Sequence, residues 1–213
     1  MPMTTLSIDV ISDIICPWCF IGTRRLEQAL APLAPKVSAK ITYRPFLLDP
    51  STPTEGTDLR ARLRNKYGVD PSTMFARVES AARASGIPLD FTKVTRTVST
   101  IAAHTLLRHA IAKETQPALA DALFSAYFLE GLDVGEIATL ARIASAHGFS
   151  VDEATALLRD DAELARTREE AAGAAESGIQ GVPFFVLDGR LAISGAQPVE
   201  TFRAAVDEVV GGA

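Results

Sequence analysis

Only two cysteines occur in this sequence, and they stand one helical turn apart in Cys16-Pro17-Trp18-Cys19. A disulfide between them would close a tiny loop. A chain of 213 residues also buries enough surface to fold without a staple, so the pair reads as chemistry. Thiol exchange needs one exposed thiolate to attack and a second thiol close behind to resolve the mixed disulfide. At a helix N-terminus, unpaired backbone N–H groups and the helix dipole favour negative charge on the first sulfur, and thiols so placed titrate below free cysteine. Cys16 is therefore the expected nucleophile and Cys19 the more buried resolving thiol. Pro17 suits the first helical position. With Trp18, which offers neither hydroxyl nor imidazole, it shapes the turn.

Two bland buried cysteines are one alternative, disfavoured by the strand before and the helix after the motif; half of a zinc site is the other. Zinc takes four ligands, and only His104, His109 and His147 remain to complete the set. His104 and His109 are five apart and cannot share a helix face, so no metal is expected. A second feature lies far along the chain, where Gly181-Val182-Pro183 opens an apolar run. Proline in a strand belongs at a first position or an edge. A cis Val182–Pro183 bond would turn the preceding backbone outward and leave the Val182 N–H and C=O free for an extended substrate. A trans proline at a strand start is the plainer reading, since X-Pro bonds are cis only ~5–6% of the time.

These residues need elements to position them. Leu6–Ile11 alternates as a strand. The motif opens a helix whose apolar residues Trp18, Ile21, Leu26, Ala29 and Leu33 recur at helical spacing, and Pro32 and Pro35 mark its end. Val37–Tyr43 alternates again, giving a parallel strand pair with its crossover. From Asp58 to about Ser177 the chain is rich in Ala, Leu and Arg. The predicted helices there are Asp58–Tyr67, Pro71–Ser85, Ser99–Lys113, Pro117–Glu130, Val134–His147 and Val151–Ser177, the last with a possible break near Asp160. Strands return at Val182–Leu187 and Leu191–Ser194 around an Asp188-Gly189 turn, and a final helix runs from Pro198 to Val210. The expected fold is α/β: a βαβ…ββα core from residues 1–50 and 178–213. Residues 51–177 form a large all-helical insertion whose last helix packs on the core sheet.

The composition is 47% hydrophobic and 22% charged, ordinary for a globular protein, and the net charge of −5 with no Lys/Arg stripe argues against nucleic acid. The longest apolar run, residues 181–187, is far shorter than the ~20 residues of a spanning helix. Met1–Ile15 has no Lys or Arg, and Asp9 and Asp13 interrupt what would be the apolar part of a signal peptide. A cytoplasmic protein without membrane attachment is expected.

Four segments, in order along the chain, resemble the DsbA family of the thioredoxin superfamily. They are Ser12-Asp13-Ile14-Ile15-Cys16-Pro17-Trp18-Cys19-Phe20-Ile21-Gly22, residues 124–131, Gly181-Val182-Pro183-Phe184-Phe185-Val186, and Ser194-Gly195-Ala196-Gln197-Pro198. The match is most similar to the FrnE-like branch, known as polyketide-biosynthesis dithiol–disulfide isomerases. The resemblance implies a thioredoxin-like core and an insertion that caps the active site. It also implies a cis-Pro at 183 facing Cys16 and a loop, Gly195-Ala196-Gln197, that borders the substrate groove with Val182. One departure is that Ala103-His104 follows Val98-Ser99 where the branch often has Asn, which implies a missing or altered polar contact between insertion and site. His104 reads equally as a polar helix residue with no role. Asp13 matches the family motif and reads equally as a helix cap.

The expected activity is thiol–disulfide exchange through Cys16 and Cys19 on thiol- or disulfide-bearing proteins. No bound cofactor is expected: the redox group is the Cys16–Cys19 disulfide itself, with glutathione as an optional external thiol. In a cytoplasm poised at about −220 to −320 mV an oxidising pair would stand reduced, which favours reductase or isomerase action. The alternatives are a glutathione-dependent small-molecule isomerase of the same fold, such as the 2-hydroxychromene-2-carboxylate isomerases, and a non-catalytic peptide-binding or chaperone module. The isomerases usually carry Ser where Cys16 stands.

Overall fold

The computed structural model describes residues 4–34 and 36–211; Pro35, expected at a helix end, lies outside them. Strand β1 (Thr4–Ser12) is the centre of the molecule. Its Leu6, Ile8 and Val10 alternate onto one covered face, and from Ile11 to Ile14 every residue is buried. β2 (Val37–Pro45) pairs with it in parallel from Thr4↔Val37 to Ser12↔Pro45. On the other side β5 (Phe184–Leu187) pairs antiparallel, Ile8↔Leu187 to Ile11↔Phe184, and β6 (Leu191–Ser194) follows it. The β5–β6 turn is built on Asp188 and Gly189, both at positive φ (48° and 65°), the backbone of a tight hairpin. The Asp188 carboxylate accepts from the Ser7 N–H at 2.7 Å, tying this turn back to β1.

The sheet order β2-β1-β5-β6 is a thioredoxin-like core. Helix α1 (Pro17–Leu30) crosses over between β1 and β2 and packs on α9 (Val199–Gly211), where Phe202 meets Phe185 edge to face at 4.8 Å. Between β2 and β5 lie β3 (Thr57–Asp58), α2 (Leu59–Tyr67), α3 (Ser72–Ala84), β4 (Arg96–Thr97), α4 (Ile101–Ala110), α5 (Gln116–Phe128), α6 (Ile137–Ser145), α7 (Val151–Leu158) and α8 (Asp161–Glu176).

The helices fall within a few residues of their expected bounds. The last predicted one is divided: Ser150 and Glu153 form a capping box on α7, and Asp160 caps α8. The insertion is not all-helical. Its β3 and β4 pair antiparallel as a two-residue ribbon, too short to show a period in sequence. Nor does the strand after Gly181 begin at Val182: the ladder starts at Phe184, because Val182 and Pro183 belong to the turn that feeds it.

The insertion is joined to the core by buried aromatic and polar contacts. Phe20, next to Cys19, stacks on Phe124 (5.3 Å) and Phe128 (6.1 Å) of α5, and Phe128 continues to Phe91, which stacks on Phe75 of α3 at 4.2 Å. α4, α5 and α8 pack against β2. There the buried Gln116 side chain accepts from the Tyr43 N–H at 2.9 Å and donates to the Tyr43 carbonyl at 3.0 Å, as a neighbouring strand would. Among the described residues no helix is long and apolar enough to cross a membrane.

Candidate active site

β1 ends beneath the insertion, and the chain turns through Asp13–Ile15, closed by the Cys16 N–H donating to the Asp13 carbonyl at 3.0 Å. Cys16 is the N-cap of α1, in extended geometry, with Pro17 at the helix start. Its sulfur accepts from the Cys19 N–H at 3.3 Å, so one of the helix's orphan donors points at it. The two free cysteines stand 3.2 Å apart. Cys19 is fully buried. Burial first, and then the Cys16 sulfur beside it, push its thiol well above the usual range.

Cys16 is not the exposed thiol that the sequence suggests. It is 3% exposed and lies on the floor of a cavity of about 270 Å³. Pro17, Trp18 and Val182 also line this cavity, and α2 and α3 supply Leu63, Met74 and Phe75 from the other side. The Val182–Pro183 peptide is cis. The Val182 carbonyl is not free, as it accepts from the Cys16 thiol at 3.7 Å.

The loop Gly195-Ala196-Gln197 sits beside Pro183, with the Gly195 N–H donating to the Pro183 carbonyl at 2.8 Å, but it is not part of the cavity lining. Two α1 residues, neither singled out by their spacing, hold these loops. A Cβ on Gly22 would stand 3.0 Å from Pro183 Cγ, 3.1 Å from Phe185 and 3.4 Å from the Ala196 Cα, so only glycine lets α1 approach this closely. The Arg25 guanidinium donates to the Ala196 carbonyl at 2.7 Å and to Ser85 Oγ at 2.9 Å, joining core loop and insertion.

Asp13 does not cap the helix, a role taken by Cys16. Its Oδ2 accepts from the Leu48 N–H at 2.8 Å, and its Oδ1 lies 3.5 Å from His104 Nε2. From the insertion, His104 thus faces Asp13 without a hydrogen bond between them. Neither residue lines the cavity; they lie behind it, where the Asp13 carboxylate also opposes charge on Cys19. Among the described residues no three His, Cys, Asp or Glu side chains gather as a metal-ligand set.

Residues 7–207 match the DSBA-like thioredoxin domain. The chain belongs to this family. The crystal structure of a probable DsbA oxidoreductase, SCO1869 from Streptomyces coelicolor, is similar to this DsbA-like chain with a TM-score of 0.87 and 32% identity, over 98% of this chain and 91% of that one. Two more distant structures share the fold. One is 2-hydroxychromene-2-carboxylate isomerase, with TM-score 0.69, 18% identity and 96% of both chains covered. The other is the cytosolic disulfide reductase DsbM from Pseudomonas aeruginosa with GSH, with TM-score 0.68, 17% identity, and 96% and 99% covered. The FrnE-like branch is consistent with this set of neighbours.

Proposed function

We propose that this DsbA-like protein is a thiol–disulfide oxidoreductase that works through Cys16 and Cys19, as a reductase or isomerase in the cytoplasm. The observation that carries the reading is the asymmetry of the pair: one sulfur at a helix N-terminus facing a cavity, the other sealed behind it with its proton held by burial. In the reducing direction the Cys16 thiolate attacks a substrate disulfide. A mixed disulfide forms and one substrate sulfur leaves as a thiolate, which takes up a proton. Cys19 then loses its proton and attacks the Cys16 sulfur. The mixed disulfide breaks, the second substrate thiol departs, and two electrons have passed from the pair to the substrate. If the substrate's own second thiol attacks first, the result is isomerisation and the pair stays reduced.

The experiment is an insulin-reduction assay and a scrambled-protein refolding assay across several redox buffers, each against Cys16→Ser. Activity above that control in either supports the reading; parity in both overturns it. The mostly apolar cavity favours one second reading, a small-molecule isomerase using glutathione, in which case turnover of a small enone would survive Cys19→Ser.

A further inference from the structure

Cys16 lies on the cavity floor at 3% exposure, so a disulfide held in a polypeptide has no room to bring its sulfurs and flanking backbone past the present walls. Two helices of the insertion form one wall, and they are held unequally. α3 is fixed. Its Phe75, Val78 and Ala82 are buried, and Phe75 stacks on Phe91. At its end Ser85 accepts from two α1 side chains, through Oγ from Arg25 at 2.9 Å and through the carbonyl from Gln28 at 3.2 Å. α2 is not fixed in this way. Among the described α-helices it alone has no buried residue. Leu59 and Leu63, which reach the cavity, are only half-buried. Elements with so little buried apolar contact stand at the low end of local stability. The N-terminal end of α2 is held by the Thr57–Asp58 ribbon and by the Leu59 N–H, which donates to the Thr95 carbonyl at 2.9 Å. At the other end Gly68 (φ 73°), Val69 and Asp70 form an exposed joint to α3.

One side chain ties α2 to the loop that follows β2. Arg62 pairs with Asp49 and donates to Ser51 Oγ at 3.1 Å. The receiving end is set in advance, because Asp49 Oδ1 accepts from the Ser51 N–H at 3.1 Å and from Ser51 Oγ at 2.6 Å, which leaves Oδ2 for Arg62. The other α2 cations turn elsewhere. Arg60 lies over the ring of Phe75 on α3, Arg64 pairs with Asp70, and Lys66 lies over the neighbouring ring of Tyr67.

We infer that the contact of Arg62 with Asp49 and Ser51 is a latch that sets the size of disulfide reaching Cys16. This rests on the thiol-exchange reading above. With the latch closed, the cavity admits small disulfides. With it released, α2 lifts between its two tethered ends, Leu59 and Leu63 leave the cavity, and the Cys16 sulfur gains the open flank that a polypeptide disulfide needs. The Arg62 and Asp49 side chains are 32% and 22% exposed. A partly exposed pair holds its closed form by a few-fold rather than by orders of magnitude, which suits a lid that opens and shuts on each turnover.

The test compares second-order rates of the reduced protein with a protein disulfide, insulin, and with a small uncharged one, 2-hydroxyethyl disulfide. The proteins are the wild type, Arg62→Gln, Asp49→Asn and Arg62→Lys. The ratio of the two rates cancels changes in folded fraction and in the intrinsic reactivity of Cys16. Arg62→Gln and Asp49→Asn should raise the insulin-to-small-disulfide ratio by roughly threefold to fivefold, the scale of one such pair, and Arg62→Lys should keep it near the wild-type value. Added salt should raise the ratio more in the wild type than in Arg62→Gln. Amide exchange in α2 should quicken in Arg62→Gln while α3 and α4 keep their rates. A ratio that stays level or falls in both Arg62→Gln and Asp49→Asn, or α2 exchange that does not change, overturns the latch while leaving disulfide exchange intact. A wild type that reacts with neither disulfide overturns the exchange reading as well.

Discussion

The Asp13 carboxylate and the His104 imidazole face each other at 3.5 Å, both within 2% of full burial, one from the turn that carries the cysteines and one from the insertion. The distance is long for a hydrogen bond. Neither facing atom has another partner among the described residues. Removing one member leaves a buried polar atom of the other facing an apolar side chain, which costs about 1–3 kcal/mol. His104→Leu should therefore lower the unfolding free energy by that amount in denaturant titrations. Asp13→Asn/His104→Leu should recover much of it. A loss below about 1 kcal/mol in the single variant would show the two side chains to be uncoupled.

Cys16→Ser should abolish disulfide exchange, whereas Cys19→Ser should still attack and then accumulate mixed disulfides, since no resolving thiol follows. Mass spectrometry after brief exposure to a disulfide substrate reads both. Alkylation at mildly acidic pH should label Cys16 first, because Cys19 is sealed and its proton held. Labelling in the opposite order would reverse the roles.

Alkaline pH should weaken the reduced protein. Burial and the adjacent Cys16 sulfur raise Cys19 above its ordinary 9.0, so the folded chain keeps a proton that the unfolded chain gives up. The folded state then binds more protons. Its advantage is complete below the ordinary thiol value and drains as pH rises through the folded one. The buried hydroxyls of Tyr43 and Tyr127, also raised by burial, add to the decline above about pH 10. Unfolding free energies of the reduced wild type should fall past pH 9, and Cys19→Ala should have a shallower slope over the same range.

Gly22→Ala sets two effects against each other. Alanine is worth about 1 kcal/mol to a helix interior. The new methyl would meet Pro183 and Phe185 at 3.0 and 3.1 Å, and overpacking of that kind costs about 1–3 kcal/mol. The contact should dominate. The variant should keep its helical circular dichroism, lose stability by up to about 2 kcal/mol, and exchange more slowly as Pro183 is pushed from the α1 surface. Unimpaired exchange would mean that the loop yields at no cost.

What the sequence made legible is local. The cysteine spacing, the strand before it and the helix after it follow from residue order, and the apolar periods of the insertion locate its helices. The Asp188-Gly189 turn is legible for the same reason. Contacts between distant segments are not. Nothing near His104 marks Asp13 as its neighbour, and a two-residue ribbon at Thr57–Asp58 and Arg96–Thr97 has no period to detect. The burial of Cys16 also escaped, because it depends on α2 and α3 folding back over a site that their own sequence does not name.

Gln116 bears on how separable the two parts of the molecule are. By bonding both backbone groups of Tyr43 it serves as a surrogate strand along the outer margin of the sheet, and it is supplied by the insertion. The helical segment is consequently not a removable accessory. Excising it would bare the β2 backbone and its apolar flank together, and a naked margin of that kind recruits other chains. Ancestral or engineered forms reduced to the minimal core would need a replacement for this one amide before they could remain monodisperse.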